Sequence, residues 1–136
     1  MIIVPAATAE VLIVNADVSG RNTLFELALD PEGLLRLTWV RGAVISEADA
    51  EAAMERVNAL CGESRHPMLV DMATTADVSR AARAVFGRPC QASRIALLGS
   101  SPVDRVIANF FLGITNLPCP TKFFTVERDA LTWLRE

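Results

Sequence analysis

Apolar and polar residues alternate strictly in two neighbouring stretches in the first third of the chain, TLFELALD and LLRLTWVRG. A period of two is typical of half-buried β-strands. Between them stands DPEG, with proline after aspartate and glycine in the fourth position, which is the composition of a type I turn. We therefore predict a β-hairpin. The apolar face of its two strands consists of Phe25, Leu27, Leu29, Leu35, Leu37 and Trp39.

Four later stretches have the composition of helices: EADAEAAMERVNALCG, RAARAVFG, PVDRVIANFFLG and ERDALTWLRE. The best defined follows Ser46, with Asp49 three residues later, an arrangement close to a capping box. Gly62 follows its last turn and predicts its end. The apolar stripe of this helix is formed by Ala50, Ala53, Met54, Val57 and Leu60.

Three short apolar runs, PMLVDM, SRIALLG and TKFFTV, separate the helices and lack a polar face. Such runs are typical of buried central strands. A polar loop, ATTADVS, leads from the first of them to the next helix. Helices and strands alternating after a hairpin predict one α/β layered domain with a mostly parallel sheet.

The composition excludes several classes of protein. The chain has 136 residues, the size of a single domain that can bury a core. It is 51% hydrophobic and 21% charged, which excludes a disordered chain. Its net charge of −3 does not attract nucleic acid or an anionic membrane. We therefore expect no nucleic-acid partner.

The first 21 residues, MIIVPAATAEVLIVNADVSGR, are apolar, but they carry no basic residue before Arg21. Pro5, Glu10, Asn15 and Asp17 interrupt the run. It lacks the positively charged start of a signal peptide and the ~20 apolar residues of a membrane span. We predict a cytoplasmic protein with no membrane insertion.

The cysteines do not predict a disulfide framework or a metal site. The chain has three cysteines, Cys61, Cys90 and Cys119. An odd number is typical of a protein in a reducing compartment, where disulfides do not form. Structural zinc usually has ligands paired two to four residues apart, and neither the cysteines nor His66 are spaced that way. We interpret these cysteines as residues without a function and expect no metal and no cofactor.

The residues available for acid–base catalysis are few. The chain has no tyrosine and only one histidine, and Lys122 is its only lysine. Asp71 and Asp77 could share a site in which one carboxylate raises the pKa of the other. An aspartate that ends a central strand, such as Asp71, more commonly accepts hydrogen bonds from loop amides or pairs with arginine. We expect a protein that is not an enzyme.

The order of elements, together with LVDMATTADVSRAAR, RIALLGSSPVDRVIANFFLG and FFTVERDALTWLRE, resembles the SpoIIAA-like fold of STAS domains and small STAS-like bacterial proteins. The resemblance covers about residues 22–136. It implies a mixed, mostly parallel sheet of about five strands with about four helices. Residues 1–136 would then form a single domain, in which 1–21 are an N-terminal extension or an extra strand.

STAS domains that antagonise anti-sigma factors present a phosphorylatable serine where a helix follows the central strand. By resemblance, the corresponding place is Asp77-Val78-Ser79, although the family has aspartate, two serines and a glycine there. Ser79 is thus a candidate helix cap, phosphosite or partner contact. Arg80 and Arg83 could donate charge-assisted hydrogen bonds to a phosphate.

The stretch GSSPVDR poses a similar choice between an anion site and a helix start. Ser101 before Pro102 matches an N-cap followed by the first helical position. Asp104 then stands where it can complete a capping box. The glycine and lysine pattern of a phosphate-binding loop is absent. We favour helix initiation, and the candidate anion contacts are Ser100, Ser101 and Arg105.

The end of the same helix, IANFFLGI, is apolar on more than one face. One sheet cannot cover all of these side chains, so we predict an exposed apolar patch of Phe110, Phe111, Leu112 and Ile114. This patch would form a homodimer interface or receive an apolar ligand or a partner protein.

Two functions follow from the sequence and the resemblance. The first is a non-catalytic regulatory or protein-interaction module that resembles STAS domains and binds an unknown protein partner in a bacterium. The alternative is a protein that binds a small apolar ligand or a lipid, since the fold group resembles lipid-transfer domains of the CRAL-TRIO type. In that case the apolar helix would line the pocket.

Overall fold

The structure, a computed structural model, describes residues 10–12, 24–72, 75–112 and 119–136. This part of the chain contains eight strands and four helices. In chain order they are β1 Glu10–Leu12, β2 Phe25–Leu29, β3 Leu35–Trp39, β4 Val44–Ile45, α1 Glu47–Cys61, β5 His66–Asp71, β6 Asp77–Val78, α2 Arg80–Phe86, β7 Ala92–Leu98, α3 Pro102–Leu112, β8 Thr121–Phe124 and α4 Glu127–Leu134.

Six of the strands form one mixed sheet in the order β1-β2-β3-β5-β7-β8. The first three strands are antiparallel to one another, whereas β3, β5, β7 and β8 run parallel. The predicted mostly parallel sheet with four helices after a hairpin is therefore confirmed. The sixth strand, β1, comes from the N-terminal extension and pairs with β2.

The hairpin of β2 and β3 turns at the predicted DPEG sequence. One carboxylate oxygen of Asp30 accepts hydrogen bonds from the amides of Glu32 and Leu34, each at 2.9 Å. Gly33 has a φ of 87°, a conformation that favours glycine. The rings of Phe25 and Trp39 pack edge to face across the two strands, with centroids 5.4 Å apart.

The sheet has a core on each face. The larger core lies between the sheet and α1, α2 and α3, and its members include Leu37, Val57 and Ala108. The right-handed crossovers of parallel strands place these three helices on one face. Of the described helices, α4 is the one that packs on the other face, where Leu69 and Leu134 belong to a smaller core.

The two-residue strands β4 and β6 form a separate parallel pair, which the sequence did not predict. Val44 pairs with Asp77 and Ile45 with Val78. The prediction of a plain loop between β5 and α2 is thus wrong at Asp77–Val78, because two residues are too few to show alternation. The pair joins the segments that lead into α1 and α2.

Candidate functional site

Helices α1 and α2 begin side by side, because their starts follow directly after the paired strands β4 and β6. The amide of Ser79 donates to the carbonyl of Ile45 at 3.0 Å and connects the two starts. Ser46 caps α1 and Ser79 caps α2. The two capping serines have different neighbours, and this difference sets the chemistry of the surface.

At the start of α1, the capping serine is hydrogen-bonded to a carboxylate of the same helix. The hydroxyl of Ser46 accepts from the amide of Asp49 at 3.2 Å, and Asp49 Oδ2 accepts from the amide of Ser46 at 3.0 Å. This reciprocal pair is the predicted capping box, which is confirmed. Glu47 adds a second acid to the first turn. The negative charge at this helix start therefore comes from the chain itself.

The start of α2 has a serine cap without an acid. The hydroxyl of Ser79 accepts from the amide of Ala82 at 3.0 Å, and the first turn holds no acidic residue. Arg80 is exposed and Arg83 is half-buried in the same helix. Asp77 is exposed in β6, two residues before the cap. Asp77, Ser79 and Arg80 thus stand at one helix start, whereas Arg83 belongs to the last turn of α2.

An exposed valine lies beside this helix start and a second precedes it along the chain, and sequence reasoning missed both. Val44 is 60% exposed and pairs with Asp77, while Val40 is 41% exposed in the turn that leads into β4. The sequence VRGAV contains both in a turn-like stretch, and only the pairing of β4 with β6 brings Val44 beside Asp77. We call Val40, Val44, Asp77, Ser79 and Arg80 the β4–β6 surface.

Helix α3 starts at GSSPVDR, which contains the candidate anion contacts Ser100, Ser101 and Arg105. Asp104 is 0% exposed, and its Oδ2 accepts from the amides of Ser100 at 3.1 Å and Ser101 at 3.3 Å. The hydroxyl of Ser101 accepts from the amide of Asp104 at 3.0 Å. The chain's own carboxylate occupies the amides that an external anion would need, which supports helix initiation.

Gly99 and Arg105 belong to the same close packing. A Cβ on Gly99 would lie 2.6 Å from the Cβ of Asp104 and 3.0 Å from a ring carbon of Phe123. The guanidinium carbon of Arg105 lies 4.9 Å from the centroid of the Phe123 ring, a cation–π contact. Arg105 thus already has a partner within the chain.

The predicted apolar patch falls at the end of α3. Ile114 and the side chains of Phe110, Phe111 and Leu112 lie outside the described residues, so the patch stays a prediction. Earlier in α3, Val103 and Val106 are exposed. They stand three residues apart and therefore lie on one side of the helix.

An apolar cavity of about 70 Å³ lies between the sheet and the helices on its larger core side. Among the described residues, two hydroxyls line it, those of Thr75 and Thr121. Thr75 is buried and donates its hydroxyl proton to the carbonyl of Met72. The other lining residues are Leu37, Trp39, Ile45, Met54, Met68, Val70, Met72, Val78, Phe86, Ile95, Leu97 and Ile107.

The remaining candidate chemistry is dispersed. Nδ1 of His66 lies 2.9 Å from the carbonyl oxygen of Gly33, so the histidine holds the hairpin turn. Asp71 lies in the large sheet beside Leu98, whereas Asp77 lies in the small one. Within the described ranges, no three histidine, cysteine or acidic residues are grouped as a metal site. None of the helices described there has the length and apolar character to span a membrane.

A family model described as Domain of unknown function (DUF7793) matches residues 27–136, most of the chain. The chain belongs to the DUF7793 family. The matched region begins within β2 and includes every helix of the structure. No curated protein matches the chain.

The solved structures that are similar to this DUF7793 chain include the following two. A protein of unknown function from Arthrobacter sp. FB24 is 81% identical, over 80% of this chain and 97% of its own, with a TM-score of 0.34. An uncharacterised DUF3478-family protein from Shewanella loihica PV-4 is 21% identical over 93% of both chains, with a TM-score of 0.51. The Shewanella protein has a SpoIIAA-like fold. The predicted SpoIIAA-like fold is confirmed.

Proposed function

We propose that this chain is a non-catalytic regulatory module that binds another protein through the β4–β6 surface. One observation carries the proposal: Val44, whose apolar side chain is exposed, pairs with Asp77, directly before a helix whose first turn lacks an acid. The surface therefore combines an apolar contact, an acid, a hydroxyl and a cation in a small area.

This mixture of side chains is what protein interfaces use. An interface core needs apolar side chains that lose water on binding, and its rim needs polar groups that set register and specificity. Val40 and Val44 provide the apolar part, while Asp77 and Arg80 supply opposite charges around it. We expect a partner with an apolar side chain for Val44 and an acidic group for Arg80.

The surface is held by backbone hydrogen bonds, which lowers the entropy that binding would cost. The carbonyl of Ala43 accepts from the amides of Ala76 at 2.8 Å and Asp77 at 3.3 Å. The amide of Ser79 donates to Ile45 in the same pair of segments. A partner would therefore meet a surface that is already arranged.

Ser79 also offers a means of regulation. A phosphate on this serine would add up to two negative charges next to Arg80, where no acid in the first turn opposes it. Amides at the helix start and the dipole of α2 favour negative charge there. We propose Ser79 as a partner contact whose modification changes the charge of the surface.

The position of the single histidine supports a non-catalytic role. His66 begins β5, at the amino-terminal edge of the sheet, and its Nδ1 contacts Gly33. Ser79 lies beyond the carboxyl end of the same strand. The histidine is therefore not available as a general base for the Ser79 hydroxyl, which such a nucleophile would need.

A photo-crosslinking amino acid at position 44 tests the proposal directly in cells that produce the protein. We expect a discrete heterologous adduct from position 44 that disappears in an Arg80→Glu background. The matched control is the same amino acid at position 132, which is exposed on α4 at the opposite face. Equal adducts from both positions, or none from position 44, would contradict the proposal.

The apolar cavity favours a second candidate function, the binding of a small apolar ligand. Its volume of about 70 Å³ is smaller than the ~150 Å³ cavity that accommodates benzene, so a lipid chain would require the helices to move. Native mass spectrometry of freshly purified protein would show a co-purifying mass if this function is correct. A bare protein mass would argue against it.

A further inference from the structure

The three cysteines of the chain approach the same edge of the sheet. Cys61 is the last residue of α1, Cys90 precedes β7 by two residues, and Cys119 precedes β8 by two residues. Because β5, β7 and β8 are parallel, the segments that lead into them meet at one edge. All three cysteines belong to or pack against the larger core, and Cys90 and Cys119 are half-buried.

Two hydrogen bonds fix the segment of Cys90 against the segment of Cys61. The amide of Gln91 donates to the side-chain oxygen of Asn58 at 2.9 Å, and its side-chain Nε2 donates to the carbonyl of Gly62 at 2.9 Å. The residue next to Cys90 is thus bonded to positions on both sides of Cys61. This arrangement aligns the end of α1 with the loop before β7.

The electrostatics agree with this placement. Burial raises the pKa of the Cys61 thiol, and the nearby Cys90 raises it further. Burial and then Cys90 also raise the pKa of Cys119, which Thr121 and Arg65 lower in part. Since Coulomb interactions weaken with distance, Cys90 is the thiol that lies close to both of the others.

We propose that Cys90 and Cys61 are a thiol pair that a peroxide converts into a disulfide. Cys90 is the cysteine that the peroxide reaches, because it is half-buried in a loop whereas Cys61 is buried at the end of a helix. Cys61 rather than Cys119 is the second member, since the bonds of Gln91 hold the loop on both sides of Cys61.

The reaction has two steps. The thiolate of Cys90 attacks one peroxide oxygen, the O–O bond breaks, and Cys90 becomes a sulfenic acid as hydroxide leaves. The thiolate of Cys61 then attacks the Cys90 sulfur, an S–S bond forms, the S–O bond breaks and a second hydroxide leaves. The two thiol protons convert the hydroxides into water, and the peroxide gains the two electrons that the sulfurs lose.

This modification site is separate from the β4–β6 surface, but it concerns the same two helices. The disulfide would join the end of α1 to the loop after α2, while the starts of both helices border that surface. Oxidation would therefore restrain α1 and α2 relative to each other. The structure assigns the thiol pair independently of the proposed function.

Peptide mapping tests the proposal on the purified full-length chain. The protein is treated with hydrogen peroxide, its free thiols are alkylated, and it is digested with trypsin without reduction. Trypsin cleaves after arginine and lysine but not between Arg88 and Pro89, so the three cysteines lie in different peptides, 57–65, 84–94 and 106–122. We expect peptide 57–65 linked to 84–94, the loss of two of the three alkylatable thiols, and full recovery with a reductant.

The sequence provides an internal control, because Cys61 and Cys119 are equally distant from Cys90 along the chain. In denaturant, both linked pairs should form in similar amounts, whereas the native chain should favour the pair with Cys61. The proposal is overturned if native protein mainly links 84–94 to 106–122. It is also overturned if native thiols resist peroxide under conditions that link the denatured chain.

Variants separate the roles of the cysteines. Cys90→Ser should abolish the intramolecular link, whereas Cys119→Ser, the matched control, should retain it and its reversal by reductant. Loss of the link in Cys119→Ser would contradict the assignment. Because the wild-type map already distinguishes the pairs, the result does not depend on whether a variant at buried Cys61 folds.

Discussion

The starts of α1 and α2 touch, and both are capped by a serine, but they differ in the residues that follow. At α1, Asp49 completes a reciprocal capping box and Glu47 adds a further acid. At α2, Ser79 caps alone, and Arg80 occupies the place that Glu47 takes in α1. A serine cap therefore does not by itself identify a function. We call a helix start closed when an acid of its own first turn lies there, as at α1, and open when the first turn has no acid, as at α2.

The start of α3 is like that of α1, because an acid of the same helix lies there. Asp104 Oδ2 accepts hydrogen bonds from the amides of Ser100 and Ser101, while its other oxygen, Oδ1, is buried and has no hydrogen-bond partner among the residues that the structure describes. Two of these three helix starts thus hold an internal carboxylate, whereas the first turn of α2 has none. The following predictions test that difference, from the largest expected effect to the smallest.

Asp104→Ala should have the largest effect on stability. It removes charge-assisted hydrogen bonds to two amides and empties a buried position, so we expect the free energy of unfolding to fall by about 3 kcal/mol. Asp104→Asn keeps an acceptor for the amides and should cost less than half as much. Denaturant unfolding measures the loss in each variant, and the slope of the free energy against denaturant concentration should not change. Equal losses in Asp104→Ala and Asp104→Asn would contradict this account of the α3 start.

Gly99→Ala tests the close packing at the same start. The new Cβ would lie 2.6 Å from the Cβ of Asp104, so we expect a loss of about 2 kcal/mol in the free energy of unfolding. Gly87→Ala after α2 is the control, because its Cβ meets nothing closer than 3.5 Å and its φ of −83° suits alanine. That change should be neutral or slightly stabilising.

Ser46→Ala and Ser79→Ala should each cost about 1 kcal/mol of unfolding free energy, since each removes a cap. Ser79→Asp should restore stability at α2, because aspartate also caps a helix and its charge suits the helix dipole. Chemical unfolding of all three variants checks this. We infer that the start of α2 tolerates negative charge. If Ser79→Asp were as unstable as Ser79→Ala, this inference would be wrong.

Exchanging the charges at the first helical position should give the smallest effects, and they should have opposite signs. Arg80→Glu places an acid at the start of α2 and should stabilise by about 0.5 kcal/mol, whereas Glu47→Arg should destabilise α1 by a similar amount. Both residues are exposed, so the differences should shrink as salt is added. Unfolding curves at low and high ionic strength would show it.

Much of this fold was predictable, because its signals are local. Alternation between Phe25 and Trp39 predicted the hairpin, and the spacing of Ser46 and Asp49 predicted the capping box. Strands β4 and β6 were missed because two-residue strands carry no periodicity, so the exposure of Val44 beside Ser79 could not be foreseen. The proposed pairing of Cys90 with Cys61 rests on long-range hydrogen bonds of Gln91, which leave no spacing pattern in the sequence.

The central claim is that the β4–β6 surface binds a protein partner. The most direct measurement compares the affinity of the partner crosslinked from position 44 for three chains: wild type, Arg80→Glu and Arg128→Glu. Arg128 is an exposed arginine in the first turn of α4, on the opposite face, so its reversal is the matched control.

We predict that Arg80→Glu weakens binding at least about tenfold, or about 1.4 kcal/mol, while Arg128→Glu binds like wild type. Both variants should remain folded, since neither residue is buried. Equal affinities for wild type and Arg80→Glu, or an equal loss in both variants, would contradict the account.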